Sequence, residues 1–280
     1  MPADSWHVKI TNLLRTSLLK CWFLHVLPMM KKPDLSVVVP VFNERDNIVP
    51  LIDEIVEALD SHLEFEIIYV NDGSTDDSLD VLIEKQQSCP QLRIIKHAKS
   101  CGQSTAVRTG VKHATADWVA TLDGDGQNVP ADIPNLYEKA MSSKTEDKIW
   151  LIAGWRKKRK DSWLKRVSSK WANGIRQWML KDKTPDTGCG LKVFRRDVFL
   201  DFPYFNHMHR YLPALCQRAG GNVENVEVQH RPRERGVSKY GFHNRLWVGI
   251  VDLFGVSWLI RRSKRPQISE HNSENQAENK

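Results

Sequence analysis

A chain of 280 residues is long enough to bury a substantial core as one α/β domain with appendages. Its five cysteines are odd in number and include no C-x-x-C pair, which excludes a disulfide framework and a zinc site and fits a reducing compartment. The net charge of +7 gathers in basic runs after Trp155, His230 and Ile260, so the partners to look for are polyanionic: nucleic acid, an anionic membrane surface or phosphorylated substrates.

Residues 1–33 read as an N-terminal amphipathic extension. Trp6, Ile10, Leu13, Leu14 and Leu18 recur at helical spacing against Lys9, Asn12 and Lys20. Lys20 and His25 interrupt the apolar run and no small-residue cleavage site precedes the first strand, so this is not a secretory signal. It is a helix at a membrane interface, or a dispensable extension of a protein that starts at Met29 or Met30.

Residues 35–41 form a continuous β-branched run of the kind buried on both faces of a parallel sheet. Asn47 is placed to cap a helix in which Ile48, Leu51, Ile52, Ile55, Val56 and Leu59 recur. A second strand over 65–70 empties into the polar segment 71–76, with a helix from about Asp77. A third over 92–96 leads to Gly102 and Gln103 and a helix containing Thr105, Val107 and Val111; a fourth, from Trp118, carries Asp123. Strand alternating with helix four times predicts an α/β fold with a mostly parallel, doubly wound sheet flanked by helices. Ligands bind such sheets beyond the carboxyl ends of the strands, where each polar cluster falls.

The fourth strand runs out into Asp123-Gly124-Asp125-Gly126-Gln127. Alternate residues of an extended chain project the same way, and the glycines let a ligand approach the backbone. Two such carboxylates suit a hard divalent cation shared with a diphosphate, and Gln127 can add a carbonyl oxygen. Asp-Gly-Asp-Gly is equally an ordinary turn sequence. No G-x-G-x-x-G follows the first strand and no G-x-x-x-x-G-K-[ST] occurs, which disfavours a dinucleotide site and a P-loop. A nucleotide held by side-chain carboxylates and a metal remains, the pattern of a nucleotide-sugar site.

In the second half, 149–154 reads as a strand followed by Trp155-Arg156 and a basic run. A helix over 163–180 sets Trp163, Trp171 and Trp178 on roughly one side with Lys165, Arg166 and Lys170 between them, either a solvated face or a docking face for acidic lipids. No RRM or KH signature accompanies these residues, so nucleic acid is not expected as a partner. Residues 246–260 form an apolar helix of about 22 Å, short of the roughly 30 Å hydrocarbon core and interrupted by Asp252. Its stripe of Trp247, Val251, Phe254 and Trp258, followed by Arg261, Arg262, Lys264 and Arg265, suits a helix in the headgroup region; a core helix is the alternative. The polar tail over 266–280 is expected to be disordered.

Three motifs in order, Pro40-Val41-Phe42-Asn43-Glu44, Val70-Asn71-Asp72-Gly73-Ser74-Thr75-Asp76 and Asp123-Gly124-Asp125-Gly126-Gln127, resemble the inverting family 2 glycosyltransferases of GT-A fold. The resemblance covers 35–245 within a catalytic domain over 34–245, leaving an interfacial helix over 246–265, and is closest to the dolichol-phosphate mannose synthase-like branch. It implies that Glu44 and Asp72 meet the donor's base and ribose, in a site shared with Pro40, Phe42, Gly102 and Gln103. It also implies that Asp123, Asp125 and Gln127 bind Mg²⁺ or Mn²⁺ and the diphosphate, and that Arg156 faces an acceptor phosphate. The segment 185–192 resembles the family's D-x-x-S/C-G element, which implies that it helps shape the acceptor and sugar pocket, with Cys189 as a small space-filling group. Arg233, Gly236, Ser238 and Lys239 match its R-x-x-G-x-S-K loop, which implies that Arg233 and Lys239 neutralise the leaving diphosphate.

His207-Met208-His209-Arg210-Tyr211 lies where hydroxyl-glycosylating relatives carry an Asp base. A phosphate oxygen is already anionic and needs none. The expected reaction is therefore transfer from a nucleoside-diphosphate sugar, GDP-mannose or a UDP-hexose, to a polyprenyl phosphate, with Asp125, Lys239, Arg233 and Arg156 as catalytic residues. The expected location is peripheral, at the cytoplasmic face of an anionic membrane, and homo-oligomers stay open. The rivals are a family 2 enzyme acting on a glycan or glycolipid hydroxyl, with His209 or an unrecognised carboxylate as base, and an inactive nucleotide-sugar-binding scaffold. No motif reads the identity of the sugar.

Overall fold

The structure, a computed structural model, describes residues 31–144, 147–156, 174–182, 184–233 and 242–266. From Leu35 the chain runs β1 (Leu35–Val41), α1 (Arg45–Leu59), β2 (Phe65–Asn71), α2 (Ser78–Gln86), β3 (Leu92–Lys96), α3 (Gln103–His113) and β4 (Trp118–Thr121). A 3₁₀ turn (Pro130–Asp132), α4 (Ile133–Ser142) and β5 (Ile149–Trp155) follow, then a helix over 174–180, α5. The chain continues with β6 (Lys192–Arg195), α6 (Arg196–Leu200), a 3₁₀ turn (Met208–Arg210), α7 (Leu212–Ala219), β7 (Asn222–Glu227) and α8 (Phe242–Arg261).

All seven residues of β1 are buried. Val37, Val39 and Val41 pack with Ile48, Leu51 and Ile55 of α1, while Val38, on the opposite face, joins Ala106, Val107 and Val111 of α3. Helices thus cover both faces, which is why β1 reads as an unbroken apolar run instead of an alternating one.

The strand order is β3-β2-β1-β4-β6-β5-β7. β1 pairs in parallel with β2 on one side and with β4 on the other, and β2 pairs in parallel with β3. The chain works outward from β1 to β3 and returns to β4 on the far side, so the winding reverses between β1 and β4. That reversal opens a crevice at the carboxyl ends of these two strands. β6 inserts antiparallel between β4 and β5, and β7 closes the edge parallel to β5. Its polar sequence, Asn-Val-Glu-Asn-Val-Glu, suits an edge strand and hides it from an apolar-run search.

Two expectations change. α1 starts at Arg45, so Asn47 lies inside it; its Nδ2 donates to Glu44 Oε2 (2.9 Å) instead of its side chain capping the helix. α8 begins at Phe242, so the domain boundary expected at 245 falls within a helix. One side of α8 is part of the core, with Val256 buried beside Leu253 and Ile260, and Asp252 accepts from His207 Nδ1 (3.1 Å). Val251, Phe254 and Trp258 remain exposed at 68%, 64% and 59%, so one side of the helix is packed and the other faces outward.

Glu66 is a carboxylate buried in β2. Burial opposes its ionisation, but Ser36 Oγ, the Thr115 hydroxyl and Thr115 N–H (each 2.7 Å), together with Arg93, outweigh this and hold its pKa below the ordinary range. Glu66→Gln should therefore cost about 2 kcal/mol in denaturant unfolding at pH 7. A depressed folded-state pKa gives stability that is full above the unfolded value of about 4.3 and fades as pH falls through the folded one. The gap between wild type and variant should close on acidification; a gap constant down to the acid transition would contradict the assignment.

Candidate active site

The crevice is built by loops that hydrogen-bond one another. After β1, Asn43 turns the chain with a φ of 53°, accepts Thr75 N–H (2.7 Å) and donates its own N–H to Ser74 Oγ (2.9 Å). Gly73, at φ +69°, lies so close to Lys99 that a Cβ there would sit 2.5 Å from a backbone carbon, so only glycine lets the two loops touch. Asp72 completes the junction. Its Oδ1 accepts from Cys101 N–H (2.9 Å) and contacts His97 Nδ1 (2.6 Å); its Oδ2 accepts from Ser100 Oγ (2.8 Å) and Gly102 N–H (2.8 Å). Burial opposes its charge, yet these four partners hold its pKa below the usual range. Since a carboxylate offers about four lone-pair positions, Asp72 is committed to fixing the 97–102 loop, and a contact to base or ribose would compete with those bonds.

The Asp-Gly-Asp-Gly-Gln segment lies across the end of β1. A Cβ on Gly124 would meet Val41 at 2.6 Å and the Pro40 carbonyl at 2.8 Å, so the segment sits directly on that strand. Asn128 Oδ1 accepts Asp123 N–H (3.2 Å), and Asp125 Oδ1 accepts Gln127 N–H (3.1 Å). Arg231 holds the loop from outside, donating to the Gly126 carbonyl (2.5 Å) and forming two bonds to Glu54 (2.9 and 3.0 Å).

Asp123 is enclosed. Gln103 Nε2 donates to its Oδ1 (2.7 Å), and Gly190 lies against the carboxylate. Burial and then the neighbouring Asp125 raise its pKa; Lys192, Arg156 and Gln103 oppose the rise. Two carboxylates whose charges oppose one another, with Gln127 beside them, form an all-oxygen donor set that a divalent cation would relieve, so the residues fit Mg²⁺ or Mn²⁺. A second cluster, Asp72, His97 and Cys101, has ligand atoms within 4.8 Å of one another. Its Asp and His atoms are engaged with each other and with the loop, His97 Nε2 reaching Thr109 Oγ1 (3.0 Å).

A cavity of about 480 Å³ opens here. Pro40, Phe42, Glu44, Asp72, Gly102 and Gln103 line one part, and Asp123, Asp125, Gln127 and Arg233 another, so ten expected site residues share one space. Ser100 and Ala106 add to the wall. Arg233 donates to Glu44 Oε1, pairing an expected diphosphate contact with an expected base contact at the rim. Arg156 does not line this cavity. Its Nε and Nη2 donate to Asp186 (2.7 and 2.9 Å) in a buried pair. Lys239, Gly236 and Ser238 lie outside the described residues, as do Trp163 and Trp171.

A second cavity of about 210 Å³ shares Pro40, Gln103 and Asp123 with the first and continues to Cys189, Lys192, His209 and Arg210. Lys192 was not singled out by sequence; its signal is a lysine within the apolar stretch Leu191-Lys192-Val193-Phe194. It is 3% exposed and donates to the Cys189 carbonyl. Burial lowers its pKa, with Cys189, Asp123 and Asp186 opposing. Burial likewise raises the Cys189 thiol, which makes it a packing group. His209 is held by Ser104 Oγ (2.7 Å); burial, then Arg210 and Lys192, drive its pKa well below the ordinary value, leaving a neutral, weakly basic imidazole.

A crevice at the switch point of a parallel sheet, floored by an Asp-Gly-Asp loop whose oxygens fit a divalent cation, has the form of a nucleotide-sugar site. Residues 36–202 match the family model described as glycosyl transferase family 2, and the chain belongs to that family. It is 36% identical over 239 residues to a dodecaprenyl-phosphate galacturonate synthase of Rhizobium johnstonii, covering 83% of this chain and 69% of that protein. It is 35% identical to an undecaprenyl-phosphate 4-deoxy-4-formamido-L-arabinose transferase of Edwardsiella ictaluri, covering 74% of this chain and 63%, under two thirds, of that protein.

Among solved structures, glucosyl-3-phosphoglycerate synthase from Mycobacterium tuberculosis, in complex with Mn²⁺, UDP and glucosyl-3-phosphoglycerate, superposes with a TM-score of 0.62 at 19% identity, over 84% of this chain and 81% of that one. A mannosyltransferase from Pyrobaculum calidifontis in complex with GDP-Man and Mn²⁺ gives 0.58 at 21% identity, over 91% and 73%. These likenesses carry the fold, which is that of the GT-A glycosyltransferases.

Proposed function

We propose that this glycosyltransferase moves a sugar from a nucleoside diphosphate to a polyprenyl phosphate, with inversion, to give a lipid-linked sugar. One observation carries the reading: the cavity at the β1–β4 switch point unites Glu44, Gln103, Asp123, Asp125 and Gln127 in a space fit for a nucleotide sugar. The two relatives named for polyprenyl-phosphate products support the acceptor. So does the state of His209, which burial leaves too weak a base to serve a hydroxyl acceptor well.

In this mechanism a phosphate oxygen of the acceptor attacks the anomeric carbon as the bond to the leaving diphosphate breaks on the opposite face. Asp123, Asp125 and Gln127 would hold Mg²⁺ or Mn²⁺, which supplies positive charge to the leaving diphosphate. Gln103 fixes the orientation of Asp123, and Arg233 stands at the rim on Glu44, ready to exchange that carboxylate for phosphate. Lys239 follows on the same segment and is assigned the same work. Arg156, clamped by Asp186, acts as fixed positive charge behind Asp123. Catalysis is then positioning and electrostatics. The test is incubation with undecaprenyl or dolichyl phosphate and a panel of UDP- and GDP-sugars, with metal or chelator. Metal-dependent lipid-linked sugar is expected; donor hydrolysis without lipid product would favour a hydroxyl acceptor.

The acceptor requires a membrane surface. Among the described residues no helix is long and apolar enough to cross one. The exposed Val251, Phe254 and Trp258 of α8, with Arg262 over the Trp258 ring (6.0 Å) and Arg261 and Lys264 beside it, are assigned to the headgroup region of an anionic bilayer. The four described cysteines are free, which fits the cytoplasmic face. Replacing Phe254 and Trp258 together by serine should lower co-sedimentation with phosphatidylglycerol vesicles at least about tenfold. Unchanged binding would move the membrane contact elsewhere.

A further inference from the structure

The second cavity carries positive charge that the transfer itself does not use. We propose that this chamber seats the donor's sugar and that the sugar is a uronic acid, its carboxylate held by Lys192 and Arg210; the proposal rests on the donor-site reading above.

Position is the first argument. The chamber shares Pro40, Gln103 and Asp123 with the larger cavity, whereas Phe42, Glu44 and Asp72 line the larger one alone. A nucleotide seated among the latter, with its diphosphate at Asp123 and Asp125, directs its sugar past Asp123 into the chamber. At about 210 Å³ the space far exceeds the ~15 Å³ that a single water needs, as a sugar ring requires.

Charge is the second. Lys192 is 3% exposed, lines the chamber, and has three N–H donors but a single hydrogen bond among the described residues, to the Cys189 carbonyl. The carboxylates near it are committed: Asp186 to Arg156, and Asp123 to Gln103 and the metal position. Arg210 adds a second cation to the wall. A neutral hexose would displace water and leave these charges poorly matched, and an amino sugar would be repelled. A carboxylate matches them. The acceptor's phosphate suits the chamber less well. It carries its lipid chain out of the protein, whereas a sugar carboxylate is a terminal group that needs no exit path.

The test is calorimetric binding to the full chain with Mn²⁺, using donors that differ only in the carboxylate: UDP-glucuronate against UDP-glucose, UDP-galacturonate against UDP-galactose, and GDP-mannuronate against GDP-mannose. In at least one pair the uronate should bind roughly 10- to 100-fold more tightly. Lys192→Gln, and separately Arg210→Gln, should bring that ratio to within about threefold of unity. Binding of bare UDP or GDP reports whether each variant's site is folded, and Arg210→Gln decides the matter if Lys192→Gln fails that check.

Equal affinities within every pair, or a preference that survives the informative variants, would overturn the proposal. So would a variant that keeps the uronate preference but loses affinity for a short-chain polyprenyl phosphate, since the chamber would then belong to the acceptor. Because the ratio is read from binding, it stands or falls separately from lipid-linked product formation, whose absence would sink the transfer reading alone.

Discussion

Asp125→Asn is expected to lower turnover at least about 10³-fold, the scale of the charge stabilisation a bound divalent ion gives a leaving phosphate. Asparagine keeps an oxygen to accept Gln127 N–H, so the loop retains its shape while the site loses a charge. Stability should move the other way. Asp125 opposes the ionisation of Asp123, so removing its charge relieves a buried repulsion, and the metal-free variant should melt no lower than wild type. Added Mn²⁺ should raise the melting temperature of wild type and leave the variant unmoved. Normal turnover, or an undiminished Mn²⁺ shift, would take the metal away from this loop.

Gly190→Ala should separate activity from stability more sharply. A Cβ at this position would lie 2.3 Å from Asp123 Oδ2 and 2.7 Å from Oδ1, a contact no structure tolerates. The atoms it meets are the end of a side chain, so the clash is relieved by turning the carboxylate, not by opening the sheet. That carboxylate is the one Gln103 holds, and a shift of about 1 Å in a reacting group can cost 10²-fold in rate. We expect turnover to fall about 100-fold, with weaker Mn²⁺ binding and a melting temperature within a few degrees of wild type. Full activity would show that the position of Asp123 does not matter; global unfolding would show that Gly190 serves the fold.

The fold is legible wherever burial leaves its mark in consecutive residues. β1 and β2 are covered on both faces, so their apolar runs announce them, and the polar clusters at their ends mark the crevice. The loop proposed to hold the metal is legible because Asp-Gly-Asp-Gly-Gln keeps its oxygen donors within five residues. Roles that depend on distant partners are not. Asp72 reads as a ligand contact, and its four bonds to the 97–102 loop, some 25 to 30 residues on, leave no mark beside it in the sequence. The pairing of Arg156 with Asp186, 30 residues later, is likewise invisible until the chain is folded. Lys192 looks like one charge in a strand, and only the sheet order, which sets β6 beside β4, brings it to Asp123. Asn47 misleads because Asn suits a cap as well as an interior hydrogen bond to Glu44.

The most direct measurement offers the chain two acceptors together: a polyprenyl phosphate and the polyprenol of the same length, which bears a hydroxyl in place of the phosphate. Nucleotide sugar and Mn²⁺ are added, and the lipid products are resolved. Labelled sugar only on the phosphate, with the anomeric configuration inverted relative to the donor, is the result expected of a site with a metal loop and no strong base. Sugar on the polyprenol, retained configuration, or nucleotide-sugar binding with no lipid product would contradict it.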